Sequence, residues 1–356
     1  MTEPRPLRRD AALTAVVFLA TLVILGGSWS VLRGATTSGD ANGRPTERPT
    51  GGIAASGGAA SPGAGSPGTG GSGPRGSQLV PSFEPRASGQ APTVIVTGAG
   101  DIASCGSDGA ARTAALLAAQ QGWFFTAGDN AYDDGSATSY ANCFAPTWGR
   151  VFDRTILPAP GERDWATKDA AGYRGYFGAQ ATPNGTTWYS MDLGAWHVVV
   201  LDSDCAQVGG CDAGSEQGRW LARDLAASSA HCTLGIWSAP RFSSGEHGDD
   251  PDVAPFWQML QDAHAELVVN GRDRDYERFA PMDAAGVETR PGGLREIVAG
   301  TGGAGLGQFH ATAANSEFRL AGSYGVLRLT LHPANYDWEF LPVGGAVADA
   351  GSGLCR

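Results

Sequence analysis

Acidic side chains follow three short apolar segments of this chain. The segments that contain them are Gly98-Ala-Gly-Asp101, Gly128-Asp-Asn-Ala-Tyr132 and Pro160-Gly-Glu-Arg-Asp164. Each preceding apolar run resembles a buried strand, and glycine before the acidic residue allows a sharp backbone turn. Ligands bind beyond the carboxyl ends of strands in layered α/β sheets, so one shared site is predicted. The acidic residues of these segments offer a metal ion only oxygen ligands, which suit Mg²⁺ or Ca²⁺. They are Asp101, Asp129, Glu162 and Asp164.

Arginines occur in two further segments of this kind. Ser238-Ala-Pro-Arg241 and Asn270-Gly-Arg-Asp-Arg-Asp275 follow apolar runs, and Arg163 lies inside the third acidic segment. A guanidinium stays protonated and offers a metal no lone pair, but it pairs bidentately with carboxylate or phosphate. The sequence therefore predicts a salt-bridged crevice that binds a phosphate-like anion through Arg163, Arg272 and Arg274. The alternative for residues 272–275 is an ordinary solvated charge run.

Two other features have both a structural and a functional interpretation. His247 lies in the segment 243–248, and a surface histidine is the favoured interpretation over an acid/base or ligand role. The structural interpretation of Asp101, Asp129 and Tyr132 is that they are hydrogen-bonding residues of tight turns.

Short apolar runs alternate with amphipathic stretches beyond Pro92, which is typical of a layered α/β or α+β domain. Buried strands are predicted at Thr93–Thr97, Trp123–Thr126, Thr155–Leu157, His197–Leu201, Thr233–Trp237 and Glu266–Val269. Helices are predicted at Asp108–Gln120, Ser215–Ala227 and Pro255–Ala263. Three more strands are predicted at Leu294–Ala299, Gly325–Leu331 and Tyr336–Leu341. Two sheets packed face to face with helices outside, a four-layer α/β/β/α sandwich, accommodate this order.

In order and spacing, the five segments resemble the motifs of the calcineurin-like metallophosphoesterases, and most closely the purple acid phosphatase branch. The family pattern is an Asp after the first strand, then G-D-x-x-Y, G-N-H-D or G-N-H-E, a His after an apolar strand, and G-H-x-H. Trp196-His197 and Tyr276-Glu-Arg278 also look like that branch. The resemblance covers roughly residues 93 to 341. It implies the fold of that family and two metal ions that activate a bridging water.

The resemblance makes Asp101 and Tyr132 ligands of the first metal and Asp129 the bridge between the two. At the other positions the family Asn is Glu162, its neighbouring His is Arg163, the fourth-block His is Ser238, and the fifth-block histidines are Arg272 and Arg274. One arginine about 4 Å from a dication opposes binding by roughly 8 kcal/mol at an effective dielectric of about 20. The chain is therefore predicted to be a pseudoenzyme with no cofactor, in which Arg163, Asp164 and His247 are catalytic remnants.

The alternative function is an active or residual metal-dependent phosphoesterase or acid phosphatase. Its cofactor would be a divalent ion or a dinuclear centre of Fe, Mn or Zn, with Mg or Ca less favoured because of the arginines. It would use the remaining carboxylates with one cation, or His247 as acid and base.

The N-terminal quarter of the chain, residues 1–91, has a different composition from the rest. Residues 1–10 are basic, and the uncharged apolar residues 11–32 are long enough to span a bilayer with the N-terminus in the cytoplasm. A cleaved signal peptide, which would leave the protein secreted, is the alternative. Residues 33–91 are rich in Gly, Ser and Pro and are predicted to be a disordered linker, followed by the 92–356 domain.

Cysteine and charge content limit the location and the partners. The six cysteines all lie beyond the linker, so disulfides in an extracytoplasmic domain are expected, with the pairing left open. The formal net charge of -11 argues against a nucleic-acid partner. A membrane-anchored domain that binds an anion or a protein of the cell envelope is the resulting hypothesis.

Overall fold

The computed structural model describes residues 91–151 and 156–356. The predictions for residues 1–10 and 11–32, and for all but the last residue of the 33–91 linker, lie outside the described residues. Within the described part, no helix is both long enough and apolar enough to cross a membrane.

The strands, numbered β1 to β13 within the described residues, are Val94–Ala99, Trp123–Ala127, Ile156–Ala159, Tyr189–Leu193, Trp196–Val200, Cys232–Ile236, Leu267–Asn270, Tyr276–Phe279, Arg295–Ala299, Ser316–Leu320, Gly325–Leu331, Asn335–Pro342 and Asp349–Leu354. The α-helices, numbered α1 to α6 in the same way, are Gly109–Ala118, Ala137–Ser139, Glu162–Trp165, Ala171–Phe177, Glu216–Ala227 and Ala254–Asp262. A π-helical turn spans Tyr140–Phe144, and 3₁₀ turns span Trp148–Val151, Lys168–Ala170, Gly178–Gln180 and Pro251–Val253.

The strands form two mixed sheets. The first has the order β13-β12-β11-β1-β2-β3, and the second has the order β10-β8-β9-β7-β6-β5-β4. Strands β1, β2 and β3 are parallel, as are β5, β6, β7 and β9. Central parallel strands are covered on both faces, which explains why every residue of β5 and β6 is buried and most of these residues are apolar. The predicted pair of sheets with helices is confirmed.

Three apolar clusters hold the layers together. One cluster joins residues of both sheets, among them Val96 and Leu327 of the first and Leu234 of the second, so the sheets pack face to face. A second cluster packs Leu117 of α1 and the π turn against the first sheet, and a third packs α5 and α6 against the second. Each sheet therefore has one face in the central core and one face under helices.

The predicted elements agree with the structure to within about three residues, and several short elements were missed. The missed strands are β4, β8, β10 and β13, and the missed helices are α2, α3 and α4. Strand β10 alternates half-buried and exposed residues, and β13 contains two glycines, so neither has an apolar run. Pairing with β8 and with β12 holds them extended instead.

The cysteines form three disulfides, as expected. The pairs are Cys105–Cys143, Cys205–Cys211 and Cys232–Cys355. The third joins the start of β6, in the second sheet, to the residue after β13, in the first. Disulfides of this number indicate folding in an oxidising environment.

Candidate functional site

The carboxyl ends of the parallel strands of both sheets meet at one edge of the sandwich. A Cβ built on Gly100, after β1, would lie 2.8 Å from the Cα of Gly271, after β7. A Cβ built on Gly161, after β3, would lie 2.8 Å from the Oγ of Ser238, after β6. Glycine is thus required where the two sheets approach each other. The five predicted segments form one crevice because their strands end there.

Backbone strain is concentrated at the same strand ends. Asp101, Asp129 and Arg272 have φ values of 56°, 52° and 63°, in the left-handed region that non-glycine residues seldom occupy. Such conformations cost on the order of 1–3 kcal/mol each and persist where the surrounding structure enforces them. They turn each side chain from its strand end into the crevice.

Asp101, Asp129 and Tyr132 form one buried hydrogen-bonded group. The hydroxyl oxygen of Tyr132 lies 2.6 Å from Asp101 Oδ1 and 2.9 Å from Asp129 Oδ2. One hydroxyl proton serves only one of these contacts, so the other contact needs a proton on a carboxyl group. Burial, and then the charge of Asp129, raises the pKa of Asp101 well above its usual value, and burial also raises the pKa of Asp129. The two Tyr132 contacts and the raised pKa of Asp101 both favour a proton on this carboxyl group.

Asp164 does not face this group as a free carboxylate. Its Oδ2 accepts hydrogen bonds from the backbone N–H groups of Asn130 and Gly161 and from the side chain of Asn130, and its Oδ1 accepts from Tyr140. Burial, with a contribution from the charge of Asp129, raises the pKa of Asp164 to about 7. Through these hydrogen bonds, Asp164 links the second and third segments. The sequence did not identify Tyr140 and Asn130 as its partners.

The three predicted anion-binding arginines are divided between two places. The guanidinium carbons of Arg163 and Arg274 lie 5.6 Å and 5.7 Å from the centre of the Tyr132 ring. Arg274 Nε is also 3.8 Å from Asp101 Oδ1. Arg272 instead lies 3.6 Å from Glu162 Oε2 and 3.3 Å from Asp250 Oδ2, in a neighbouring cavity. Salt bridges between arginines and crevice carboxylates are therefore present.

The residues present do not fit a dinuclear metal centre. Asp101, Asp129 and Tyr132 lie together, but a guanidinium adjoins them, and Glu162 is half-exposed and paired with Arg272. Among residues 91–151 and 156–356, no group of three or more His, Cys, Asp or Glu residues is arranged to hold a metal ion. The Oγ of Ser238 is a neutral hydroxyl where the family has an imidazole.

His247 is an exposed residue, as the surface interpretation predicted, and its ring has a defined hydrogen-bond partner. Its Nδ1 lies 2.8 Å from Oδ1 of Asp273, whose carboxylate also accepts hydrogen bonds from the His247 backbone and the Ser243 hydroxyl. The hydrogen bond to Asp273 raises the pKa of His247 above its ordinary value, and burial opposes the rise less strongly. The nearby charge of Arg272 also opposes the rise.

Several buried acids were not identified from the sequence. Asp202 and Asp204 follow β5. They could have been predicted in the same way as the other acidic residues, which were identified because they directly follow a buried strand. Asp275 is fully buried, and neither carboxylate oxygen has a hydrogen-bond partner among the described residues. Burial, and then the charges of Asp273 and Glu277, raises the pKa of Asp275 to about 8. Burial likewise raises the pKa values of Asp202 and Glu266 to about 7.

Because of these buried acids, the free energy of unfolding is expected to fall as the pH rises from about 5 to about 8. The same carboxyl groups titrate near 4 in the unfolded chain, so their stabilisation is complete below that pH and is lost as the pH rises through the folded values. Each group contributes a slope of up to about 1.4 kcal/mol per pH unit. Urea denaturation across this range measures the slope.

Asp275→Asn is expected to reduce the pH dependence of the free energy of unfolding, because it removes a titrating group. It breaks no hydrogen bond, because neither carboxylate oxygen of Asp275 has a partner among the described residues. Asp108→Asn, at a side chain that is 79% exposed, is the matched control and leaves the slope unchanged. An equal slope in natural and Asp275→Asn chains would contradict the assignment.

Comparison with known proteins shows likeness of fold without close sequence similarity. No protein-family model and no curated protein matches the sequence. The chain is similar to purple acid phosphatase PPD1 from yellow lupin (Lupinus luteus) seeds, with 16% identity and a TM-score of 0.59, over 74% of this chain and 54% of that one. This chain spans about half the length of the lupin protein.

Two further solved structures share this architecture. GAP50, described as the anchor in the inner membrane complex of Plasmodium, has 14% identity and a TM-score of 0.58, over 74% of this chain and 89% of GAP50. PhoD has 13% identity and a TM-score of 0.51, over 74% of this chain and 69% of PhoD. At these identities the likeness shows the fold and nothing more about activity.

Proposed function

We propose that this chain, which has the calcineurin-like metallophosphoesterase fold, is a binding module that has lost phosphoester hydrolysis and takes a phosphate-like anion at its crevice. The observation that carries the proposal is the position of Arg163 and Arg274 beside the Tyr132 ring, with Arg274 Nε 3.8 Å from Asp101. The Arg274 guanidinium lies beside the retained carboxyl group of Asp101, and the family pattern has an imidazole at the position of Arg274. Water activation by a pair of metal ions then has no site.

The local charge favours an anion at this position. With a proton on Asp101, the negative charge of Asp129 faces two guanidinium groups, which leaves a positive excess beside Tyr132. Arg163 and Arg274 are both half-buried, so part of each guanidinium fork remains open to solvent. Such forks bind phosphate oxygens bidentately. Arg272 contributes less, because two carboxylates already pair with it.

The proposed setting is the outer face of a membrane. Residues 11–32 would anchor the chain, residues 33–91 would tether it, and the domain would meet an anionic ligand or a protein partner in the cell envelope. The disulfides support an oxidising compartment. GAP50 is described as an anchor and has a similar fold, so a non-catalytic role is compatible with this architecture.

The purified full-length chain is expected to contain no stoichiometric metal and to show no p-nitrophenyl phosphate turnover, with or without added Mn²⁺ or Fe. Calorimetry under chelator is expected to detect phosphate binding. Arg163→Gln and Arg274→Gln should each weaken binding about tenfold, because each removes a charge-assisted hydrogen bond. Arg319→Gln, at an exposed residue of β10, is the control. Stoichiometric metal with saturable turnover, or no heat at millimolar phosphate, would overturn the proposal.

The His247–Asp273 pair supports a second candidate, a residual phosphoesterase. Asp273 orients the ring through Nδ1 and leaves Nε2 as the nitrogen that can exchange a proton with a ligand. If the chain turns over p-nitrophenyl phosphate, His247→Gln should abolish the reaction, and Asp273→Asn should reduce it and shift its pH profile. Turnover unaffected by both changes would exclude this candidate.

A further inference from the structure

A second, acidic cavity lies beside the arginine pair. It has a volume of ≈ 280 Å³ and is lined at the ends of β3, β5, β6 and β7. We call it the acidic cavity and define it by its charged lining residues together with one of its two serines, namely Glu162, Asp204, Asp250, Asp252, Arg272 and Ser238. Four carboxylates thus face one guanidinium.

The guanidinium satisfies only part of this negative charge. Arg272 pairs with Glu162 at 3.6 Å and with Asp250 at 3.3 Å. Asp204 and Asp252 form no ion pair among the described residues, so the cavity keeps a surplus of negative charge. Burial, and then the charge of Glu162, raises the pKa of Asp204. That direction fits a carboxylate with too few cations around it.

An unpartnered hydroxyl inside the cavity is an independent sign of a missing ligand. Ser238 is only 2% exposed, yet its Oγ has no hydrogen-bond partner within the described residues. A buried hydroxyl without a partner is unfavourable, and most are satisfied by protein, water or ligand. A hydroxyl oxygen and carboxylate oxygens together make a lining that is rich in acceptors.

From this lining we infer that the acidic cavity binds an organic cation, either a primary ammonium or a guanidinium group. The N–H groups of such a cation donate to Asp204 and to Ser238 Oγ, while its charge offsets the surplus that Arg272 leaves. A bare metal ion fits less well, because Glu162 and Asp250 already pair with Arg272 and no metal-holding group is found in the described part of the chain. The inference rests on the proposed function in one respect: the crevice holds no metal pair.

Two sources carry this chemistry, a free polyamine and a basic side chain of a protein partner. Calorimetry on the full-length chain at low salt would therefore compare spermidine with N-acetyl-arginine amide. Binding of spermidine alone identifies the polyamine source, and binding of the arginine amide identifies a side chain. Absence of heat with both cations would overturn the inference.

Three variants make the test specific to the cavity. Asp204→Asn and Ser238→Ala are each expected to weaken cation binding about tenfold, because each removes an acceptor. Arg272→Gln is expected to strengthen it about tenfold, because the competing positive charge is gone. A misfolded variant would not bind more tightly, so this gain distinguishes the inference from loss of structure. The control Asp108→Asn, at an exposed residue, should not change binding; an equal loss there would overturn the inference.

The test is separate from that of the proposed function. Arg163→Gln and Arg274→Gln should weaken phosphate binding while leaving cation binding within about twofold. Inorganic phosphate that binds more weakly in Arg272→Gln, with no cation binding, would assign the cavity to anions instead. Stoichiometric metal in the natural chain would refute the proposed function; cation titrations under chelator would then test the acidic cavity separately.

Discussion

A chain with Glu162→Asn, Arg163→His, Ser238→His, Arg272→His and Arg274→His is expected to gain metal affinity by at least about a thousandfold over the natural chain. The physical reason is electrostatic. One arginine about 4 Å from a dication opposes binding by roughly 8 kcal/mol at an effective dielectric of about 20, which exceeds the roughly 10- to 100-fold loss of affinity when a residue hydrogen-bonded to a ligand is removed. Imidazole restores a neutral nitrogen lone pair in its place.

The retained residues supply the rest of such a site. Tyr132 already brings Asp101 and Asp129 within hydrogen-bonding distance of one oxygen atom. A cation there would replace the proton that the two carboxyl groups now need. Elemental analysis after dialysis against Zn²⁺ or Mn²⁺, followed by calorimetric titration, measures the gain.

The matched control for this gain adds Asp129→Asn to the same five changes. Because Asp129 is the expected bridge, the control should lose most of the new affinity while keeping every new histidine. If the variant with all five substitutions folds but binds no more metal than the natural chain, the alignment of the five segments with the family pattern is refuted.

Removing the Cys232–Cys355 disulfide by substituting both cysteines with alanine is expected to lower the free energy of unfolding by about 5 kcal/mol. The two cysteines are 123 residues apart in sequence, so the bond greatly restricts the unfolded chain. It also ties the C-terminal end of β13 in the first sheet to β6 in the second. Guanidinium denaturation of the full-length chain measures the loss.

The Cys205–Cys211 bond provides the internal comparison. Its cysteines are 6 residues apart, and the same chain-entropy relation gives a loss of about 2 kcal/mol for the double alanine variant. Equal losses in the two double variants, or a larger loss for the short loop, would show that native-state contacts outweigh the entropy of the unfolded chain.

The two arginine environments give the crevice opposite local charge. Beside Tyr132, Arg163 and Arg274 face the single negative charge of Asp129 if Asp101 is protonated, whereas around Arg272 four carboxylates face one guanidinium. One ligand with both an anionic and a cationic group would satisfy both. A phosphate titration repeated in the presence of saturating cation would measure whether one ligand promotes binding of the other.

The local sequence pattern was sufficient to predict the central strands and the segments that line the crevice. The apolar runs of β1, β2, β5, β6 and β7 are buried on both faces, so composition alone indicates them. Glycine before Asp101 and Asp129 marks sharp turns at strand ends, and parallel strands bring such ends to one edge. The sequence thereby indicated which segments line the crevice, and the resemblance predicts that other residues stand at the family's imidazole positions.

Only the tertiary structure decided how the charges pair. Sequence placed Arg163, Arg272 and Arg274 in one anion site, but Arg272 lies against Glu162 and Asp250, which come from separate loops. Strands β10 and β13 formed without an apolar run because long-range pairing held them. Side-chain partners depend on which distant loops fold together, and that contact is set by the packing of two sheets rather than by neighbours along the chain.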